Sequence, residues 1–203
     1  MNRAIILASA SPRRKKILAS LGLSFYVIPA RIREVLGTSF SVKALKELAA
    51  EKAKRAVKTK NSKNFLIIGA DTVVVVKGRI YGKPKNVKSA KKMLAEISGK
   101  NQEVWTALAI FETASGKIIT GTSKSIIKMK KLSPGDISYL ASKNLDKAGG
   151  YGIQEDDQYL KMVSGSYTNV VGFPVELLVK MLLKFGVKIS KSNVQRAKRE
   201  YLK

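Results

Sequence analysis

The stretch Phe65-Leu66-Ile67-Ile68-Gly69-Ala70-Asp71-Thr72-Val73-Val74-Val75-Val76 decides how the chain is read. Its two apolar halves are rich in branched residues, which predicts strand in a sheet covered on both faces. Upstream, Arg3 to Ala8 is a short continuous apolar run and reads as a buried strand. A helix follows it: Ser11 suits the N-cap, Pro12 the first helical position, Ile17, Leu18 and Leu21 share a face, and Gly22 closes it. Phe25 to Ile28 reads as a second strand, and Val42, Leu45, Leu48, Ala49, Ala53 and Ala56 have helical spacing up to about Lys58. Downstream, Lys77-Gly78 offers a turn, and Ala90, Met93, Leu94 and Ile97 mark a helix closed by Gly99. Val104 to Phe111 and Lys117 to Met129 predict a long hairpin across Ser115-Gly116. Ser133-Pro134 with Asp136 starts a further helix, Ala148 to Gly152 is a glycine-rich loop, and Pro174 opens the last helix. Strands and helices alternate without a repeat, so the fold class is α/β with a mixed central sheet flanked by helices.

At 203 residues the chain can bury one core or two closely packed lobes that share a cleft. No apolar run approaches the roughly 20 residues of a membrane helix, and the stretch ending at Ser9 is too short for a signal peptide. A soluble, cytoplasmic protein with no membrane contact is expected. The chain has no cysteine and no histidine, which excludes disulfides, thiolate metal sites and histidine-based acid–base chemistry. Proton transfer therefore falls to carboxylates and lysine. Lysine and arginine outnumber the acids 39 to 14, a net charge of +25 that attracts nucleic acid, anionic membranes or phosphorylated small molecules. The lysines are scattered as on a solvated surface, except in residues 190–203. There Lys191, Arg196, Lys198, Arg199 and Lys203 face the single acid Glu200, which reads as a basic tail, frayed or weakly helical, beyond a domain of residues 1–189.

Several segments can carry chemistry. In Ser9-Ala10-Ser11-Pro12-Arg13-Arg14 a strand delivers the chain to a helix N-terminus, where free amides and the dipole favour an anion. Arginine adds a planar fork that grips phosphate oxygens, although the same residues also describe an ordinary capped helix. Asp71 lies between core runs and needs a partner or a metal, because an isolated buried carboxylate is costly. A satisfied turn residue at a strand break is the plainer alternative. Lys52 falls on the apolar face of its helix, so it either snorkels out or faces a cleft. Gly82-Lys83-Pro84 sets a cation shortly after Asp71. In Asp146-Lys147-Ala148-Gly149-Gly150-Tyr151-Gly152-Ile153-Gln154 the glycines permit close approach to a ligand, while Tyr151 and Gln154 offer stacking and amide recognition. The P-loop, the dinucleotide fingerprint and the nucleophile elbow are all missing.

Taken in order, Leu7-Ala8-Ser9-Ala10-Ser11-Pro12-Arg13-Arg14, Glu51-Lys52-Ala53, Gly69-Ala70-Asp71-Thr72-Val73-Val74, Gly82-Lys83-Pro84, the segment from Asp146 to Gln154, and Gly165-Ser166-Tyr167 with Asn169 to Gly172 resemble the Maf family. The resemblance runs from about Ile5 to Leu183. It implies a Maf / inosine triphosphatase-like fold with a deep cleft between two lobes. It also implies metal-dependent hydrolysis of nucleoside triphosphates to monophosphate and pyrophosphate, in nucleotide-pool cleansing, with Mg²⁺ or Mn²⁺ as cofactor. By that resemblance Asp71 accepts a proton from the attacking water or holds the metal, with Glu34 as a second acid and metal ligand. Lys52, Lys83 and Arg13 hold phosphates, and Ser9, Ser11 and Arg14 complete the phosphate end. Arg13, Thr72 and Gln154 match the branch that acts on dTTP and UTP rather than 7-methyl-GTP. Two departures stand out. Pro29-Ala30-Arg31-Ile32-Arg33-Glu34 keeps only Glu34 of a usually aspartate-rich stretch, and Gln102 stands nearest a frequent histidine, while Thr106 is kept.

The expected partner is a nucleoside triphosphate, with room for a homodimer and for non-specific nucleic-acid contact through the positive charge. Two further readings stay open at this level: a basic nucleic-acid-binding protein, and a division regulator that binds nucleotide without turnover.

Overall fold

Among the described residues, seven strands form one mixed sheet: β1 (Ala4–Leu7), β2 (Phe25–Val27), β3 (Phe65–Val76), β4 (Arg79–Tyr81), β5 (Asn101–Glu112), β6 (Ile118–Met129) and β7 (Leu160–Ser164). The order is β2-β1-β3-β5-β6-β7, with β4 paired to β3 off that path. The structure is a computed structural model that describes residues 3–32, 37, 39–56 and 64–200. Helices α1 (Pro12–Ser20), α2 (Val42–Arg55), α3 (Val87–Ile97), α4 (Pro134–Lys143), α5 (Tyr167–Val170), α6 (Val175–Leu183) and α7 (Lys191–Arg199) flank it. β1 runs parallel to β2 and β3, and the pairs β3–β5, β5–β6 and β6–β7 are antiparallel.

Side-chain alternation along β3 divides the core in two. Leu66, Ile68, Ala70, Val74 and Val76 join the larger cluster with α1, α3, α4 and α6. Ile67, Val73 and Val75 join the smaller one with Leu45, Ala49 and Ala53 of α2. Apolar residues on both faces explain why the decisive stretch shows no polar alternation.

The gap that positions the site lies in a neighbour of β3 rather than in β3 itself. The strand is continuous, and β5 pairs with it from Leu66↔Glu112 to Val75↔Glu103. On its other edge, β1 pairing ends at Leu7↔Ile68 and β4 pairing begins only at Val74↔Tyr81. Among the described residues, 69–73 thus have no strand beside them on that edge. Asp71 is therefore not a turn residue at a strand break, because the chain stays extended through it.

Gly69 lets α2 lie directly on this bare segment. A Cβ there would sit 2.2 Å from the Ala49 carbonyl oxygen and 2.7 Å from the Ala53 nitrogen, distances no real side chain tolerates. Helix starts follow the local chemistry that the sequence announces. The Ser11 hydroxyl caps α1, and Ser133 and Asp136 close a reciprocal capping box on α4.

Of the two forms expected for the basic tail, frayed or weakly helical, the structure shows a helix, α7, whose Ala197 is fully buried. It packs on α1 and α6, and its Arg196 Nε donates to the Ser20 carbonyl at 2.9 Å. One buried alanine and hydrogen bonds to helix-end carbonyls hold it, features that a count of apolar residues does not weigh.

Candidate active site

Strand alternation sends Asp71 and Thr72 to opposite faces of β3, so one strand serves two halves of a site. Asp71 points toward α2, where the Lys52 ammonium donates to its Oδ1. Both side chains are almost wholly buried, at 8% and 7% exposure. Lys52 thus does not snorkel to the outer surface but faces the cleft. Because Ala49 and Ala53 of α2 ride on Gly69, Lys52 one turn along is delivered onto Asp71, two residues further on the same face of β3.

Thr72 points into the opposite half. Its Oγ1 lies 3.0 Å from Thr106 Oγ1 and accepts from Arg14 at 3.1 Å. Arg14 Nε donates to the Gly172 carbonyl at 3.0 Å, and Arg14 NH1 donates to Ser9 Oγ at 3.1 Å and the Ala70 carbonyl at 3.0 Å. Thr106 continues the network to the Asn169 carbonyl at 3.2 Å. Asn169 Nδ2 in turn donates to Val104 and Ser125. Arg14 and Thr72, expected to touch substrate, line the cleft with their polar atoms bonded to protein. They tie the loop after β1, the bare segment of β3 and the turn before α6 into one frame.

That frame borders a cleft of about 780 Å³. Ser9, Ser11, Arg13, Arg14, Lys52, Asp71, Thr72, Lys83 and Gln154 all line it, so the structure brings together every sequence-predicted site residue except Glu34. Glu34 lies outside the described residues, as does Arg33. Gln102 does not line the cleft; it is fully buried against Ile97 and Met129. The volume suits a nucleotide-sized ligand.

The sequence reading did not single out Lys85, and it gave no role of their own to Asp146 and Lys147 within the glycine-rich segment, yet all three line the cleft. Asp146 meets Arg13 at 3.7 Å, and the Gly149 amide donates to the Gly82 carbonyl at 3.1 Å, fastening the Gly82–Lys85 turn to the glycine-rich loop. Lys85 was in principle legible, since it follows Gly82-Lys83-Pro84 directly. Tyr151 differs from its expected use. Its ring is 5% exposed and packs with the larger core, and burial pushes its phenol well above the ordinary tyrosine value. It walls the cleft as a neutral hydroxyl. Gln154 is only partly buried, and its amide makes no hydrogen bond among the described residues.

A family model described as Maf-like protein matches residues 4–185. The chain belongs to the Maf family. It is 40% identical over 184 residues to a protein of Elusimicrobium minutum named dTTP/UTP pyrophosphatase, covering 90% of this chain and 98% of that one. A protein of the same name from Bacillus thuringiensis is 38% identical over 192 residues, covering 93% and 98%. Among solved structures, the Ham1 protein of Staphylococcus aureus superposes with a TM-score of 0.50 at 14% identity, over 91% of this chain and 100% of that one. The likeness to Ham1 fixes the fold shared by this Maf chain, a mixed sheet with flanking helices around a cleft. Among the described residues, no helix is long and apolar enough to cross a membrane.

Proposed function

We propose that this Maf protein hydrolyses nucleoside triphosphates, dTTP and UTP foremost, to the monophosphate and pyrophosphate. The observation that carries the reading is the buried Lys52–Asp71 pair at the bare edge of β3, set in a cleft otherwise rich in cations. The relatives named dTTP/UTP pyrophosphatase support the choice of substrate.

A triphosphate brings several negative charges, and the cleft meets them with Arg13, Lys52, Lys83 and the N-terminus of α1. Water attacks the α-phosphorus, the bond from that phosphorus to the bridging oxygen breaks, and the electron pair leaves with pyrophosphate. Asp71 takes the proton of the attacking water, and the cations stabilise charge on the departing oxygens. Gln154 offers both a donor and an acceptor to the edge of a pyrimidine base.

Among the described residues no cluster of three or more metal-ligating side chains occurs. A hard cation of the Mg²⁺ or Mn²⁺ kind needs no such cage, since one or two carboxylates plus substrate phosphates suffice. Asp71 fits that requirement, with Glu34 as the second carboxylate of the proposal. Bound there, the ion would neutralise phosphate charge and lower the pKa of water. The proposed role is cytoplasmic, and in it this activity would cleanse the nucleotide pool.

The test is pyrophosphate release from dTTP, UTP, dATP and 7-methyl-GTP with Mg²⁺ or Mn²⁺. Release from dTTP and UTP that falls on the order of a hundredfold or more in Asp71→Asn is the expected result. Tight nucleotide binding with no release under either metal would favour a binding regulator instead.

A further inference from the structure

The loop that carries Gln154 is held by an acidic residue outside the cleft. Asp156 is fully buried and does not line the cleft. Its Oδ2 accepts from the Gly152 amide at 2.8 Å and from Asn144 Nδ2 at 2.9 Å. The Asp156 amide donates back to the Gly152 carbonyl at 2.9 Å, so the two residues are bonded in both directions and Gln154 lies between them. Asn144, the C-cap of α4 and 1% exposed, accepts from Lys147 Nζ at 2.7 Å. Lys147 in turn meets Glu155 at 3.4 Å.

This chain of contacts ties both ends of the loop to the end of α4. At the first residue of the loop, the ends of the Glu155 and Lys147 side chains close over Gly152: a Cβ there would sit 2.1 Å from Glu155 Oε2 and 2.9 Å from Lys147 Cε, so those two side chains would have to turn aside. The clamp restricts residues 152–156 before any ligand arrives, and a preordered loop lowers the entropy lost when its amide groups bind.

We propose that Asp156 is a positioning residue for base recognition, which acts by fixing the loop that presents Gln154 to the cleft. The assignment rests on the triphosphate reading above. A single side-chain oxygen serves the place, because its two lone pairs accept the Gly152 and Asn144 N–H groups at once.

The experiment compares binding of UTP and of inorganic tripolyphosphate, which has the phosphates and no base, by calorimetry on the full chain. Asp156→Ala should weaken UTP about tenfold and leave tripolyphosphate within about twofold, the loss expected when one strong hydrogen-bonded contact goes. Gln154→Ala should do the same, and the double variant should be no weaker than either alone, because both act on one contact. Asp156→Asn, which keeps one acceptor oxygen, should restore most of the UTP affinity. If Asp156→Ala does not fold, Asn144→Ala removes one donor only and should give a smaller loss of the same base-selective kind. Equal weakening of both ligands, additive loss in the double variant, or unchanged UTP binding would each overturn the assignment. Wild-type protein that binds neither ligand would overturn the triphosphate reading itself.

Discussion

Lys52 of α2 and Asp71 of β3 meet as a buried ion pair, although a helix end, residues 57–63 and half of a strand separate them in sequence. The pairing depends on how closely α2 rests on β3, and so on residues that carry no charge.

Asp71→Asn keeps the size of the side chain and removes its ability to accept a proton. Pyrophosphate release from dTTP should fall on the order of a hundredfold or more. Lys52→Met should be the more destabilising change, by about 3 kcal/mol, because a buried carboxylate then loses its ammonium. Adding Asp71→Asn to Lys52→Met should recover part of that stability. Chemical denaturation of the three variants checks this, and strictly additive losses would contradict the coupling.

Gly69→Ala adds one methyl group between β3 and α2. The group would collide with the backbone of Ala49 and Ala53, which cannot turn aside as a side chain can. Overpacking of this kind costs about 1–3 kcal/mol and often more against backbone. Thermal melting should register the loss. Activity should fall further than stability alone accounts for, since any shift of α2 moves Lys52 off Asp71.

How much of this was legible in the sequence differs from one part to the next. The runs Arg3 to Ala8, Phe65 to Ile68 with Val73 to Val76, Val104 to Phe111 and Lys117 to Met129 announced β1, β3, β5 and β6, and Ser11-Pro12 and Ser133-Pro134 announced their helices because caps act within a few residues. β4, β7 and α5 were not read: they are three to five residues long and owe their form to neighbouring strands or loops. Most site residues were found because they stand in short motifs. Their internal bonding was not, since Arg14 meets Gly172 and Thr106 meets Asn169 only after the sheet has formed.

Arg13 and Arg14 are neighbours with different surroundings, and lysine substitutions should separate them. Arg14 donates to four protein oxygens from a planar group that lysine cannot imitate. Arg14→Lys should therefore lower stability by about 2–4 kcal/mol, each charged hydrogen bond contributing about 1.5–3 kcal/mol before lysine's partial replacement. Arg13→Lys should leave the melting temperature nearly unchanged and raise KM for dTTP. Equal effects of the two on stability would refute the distinction.

A pH effect follows from Glu103. Hydrogen bonds from Lys124 and from the Trp105 indole hold its carboxyl below the usual glutamate range. A depressed folded-state pKa stabilises above the unfolded value and is lost as pH falls through the folded one. Glu103→Gln should therefore cost stability at pH 7, at most about 1 kcal/mol because the pair is partly exposed. The difference from wild type should shrink as pH falls past the ordinary glutamate pKa and vanish only below the depressed folded-state value. Urea midpoints read by Trp105 fluorescence between pH 3 and 7, with the range set by the ordinary glutamate value, would test it.

Removing residues 190–203 tests whether α7 belongs to the folded unit. At the end of α1, carbonyls that lack intrahelical partners accept from α7: Ser20 from Arg196 at 2.9 Å and Leu21 from Asn193 at 3.1 Å. A cation beside those carbonyls also complements the helix dipole. Lys16 pairs with Glu200 at 3.0 Å, and Lys198 with Glu176 at 2.8 Å. Truncation should cost about 2–4 kcal/mol from lost hydrogen bonds and the buried Ala197, and lower Tm by roughly 4–16 °C at this chain length. Because α1 also offers its N-terminus to the cleft, loosening its far end should raise KM for dTTP with less effect on kcat. A truncated chain that melts with the full-length protein and keeps its KM would mean that α7 rests on α1 without supporting it.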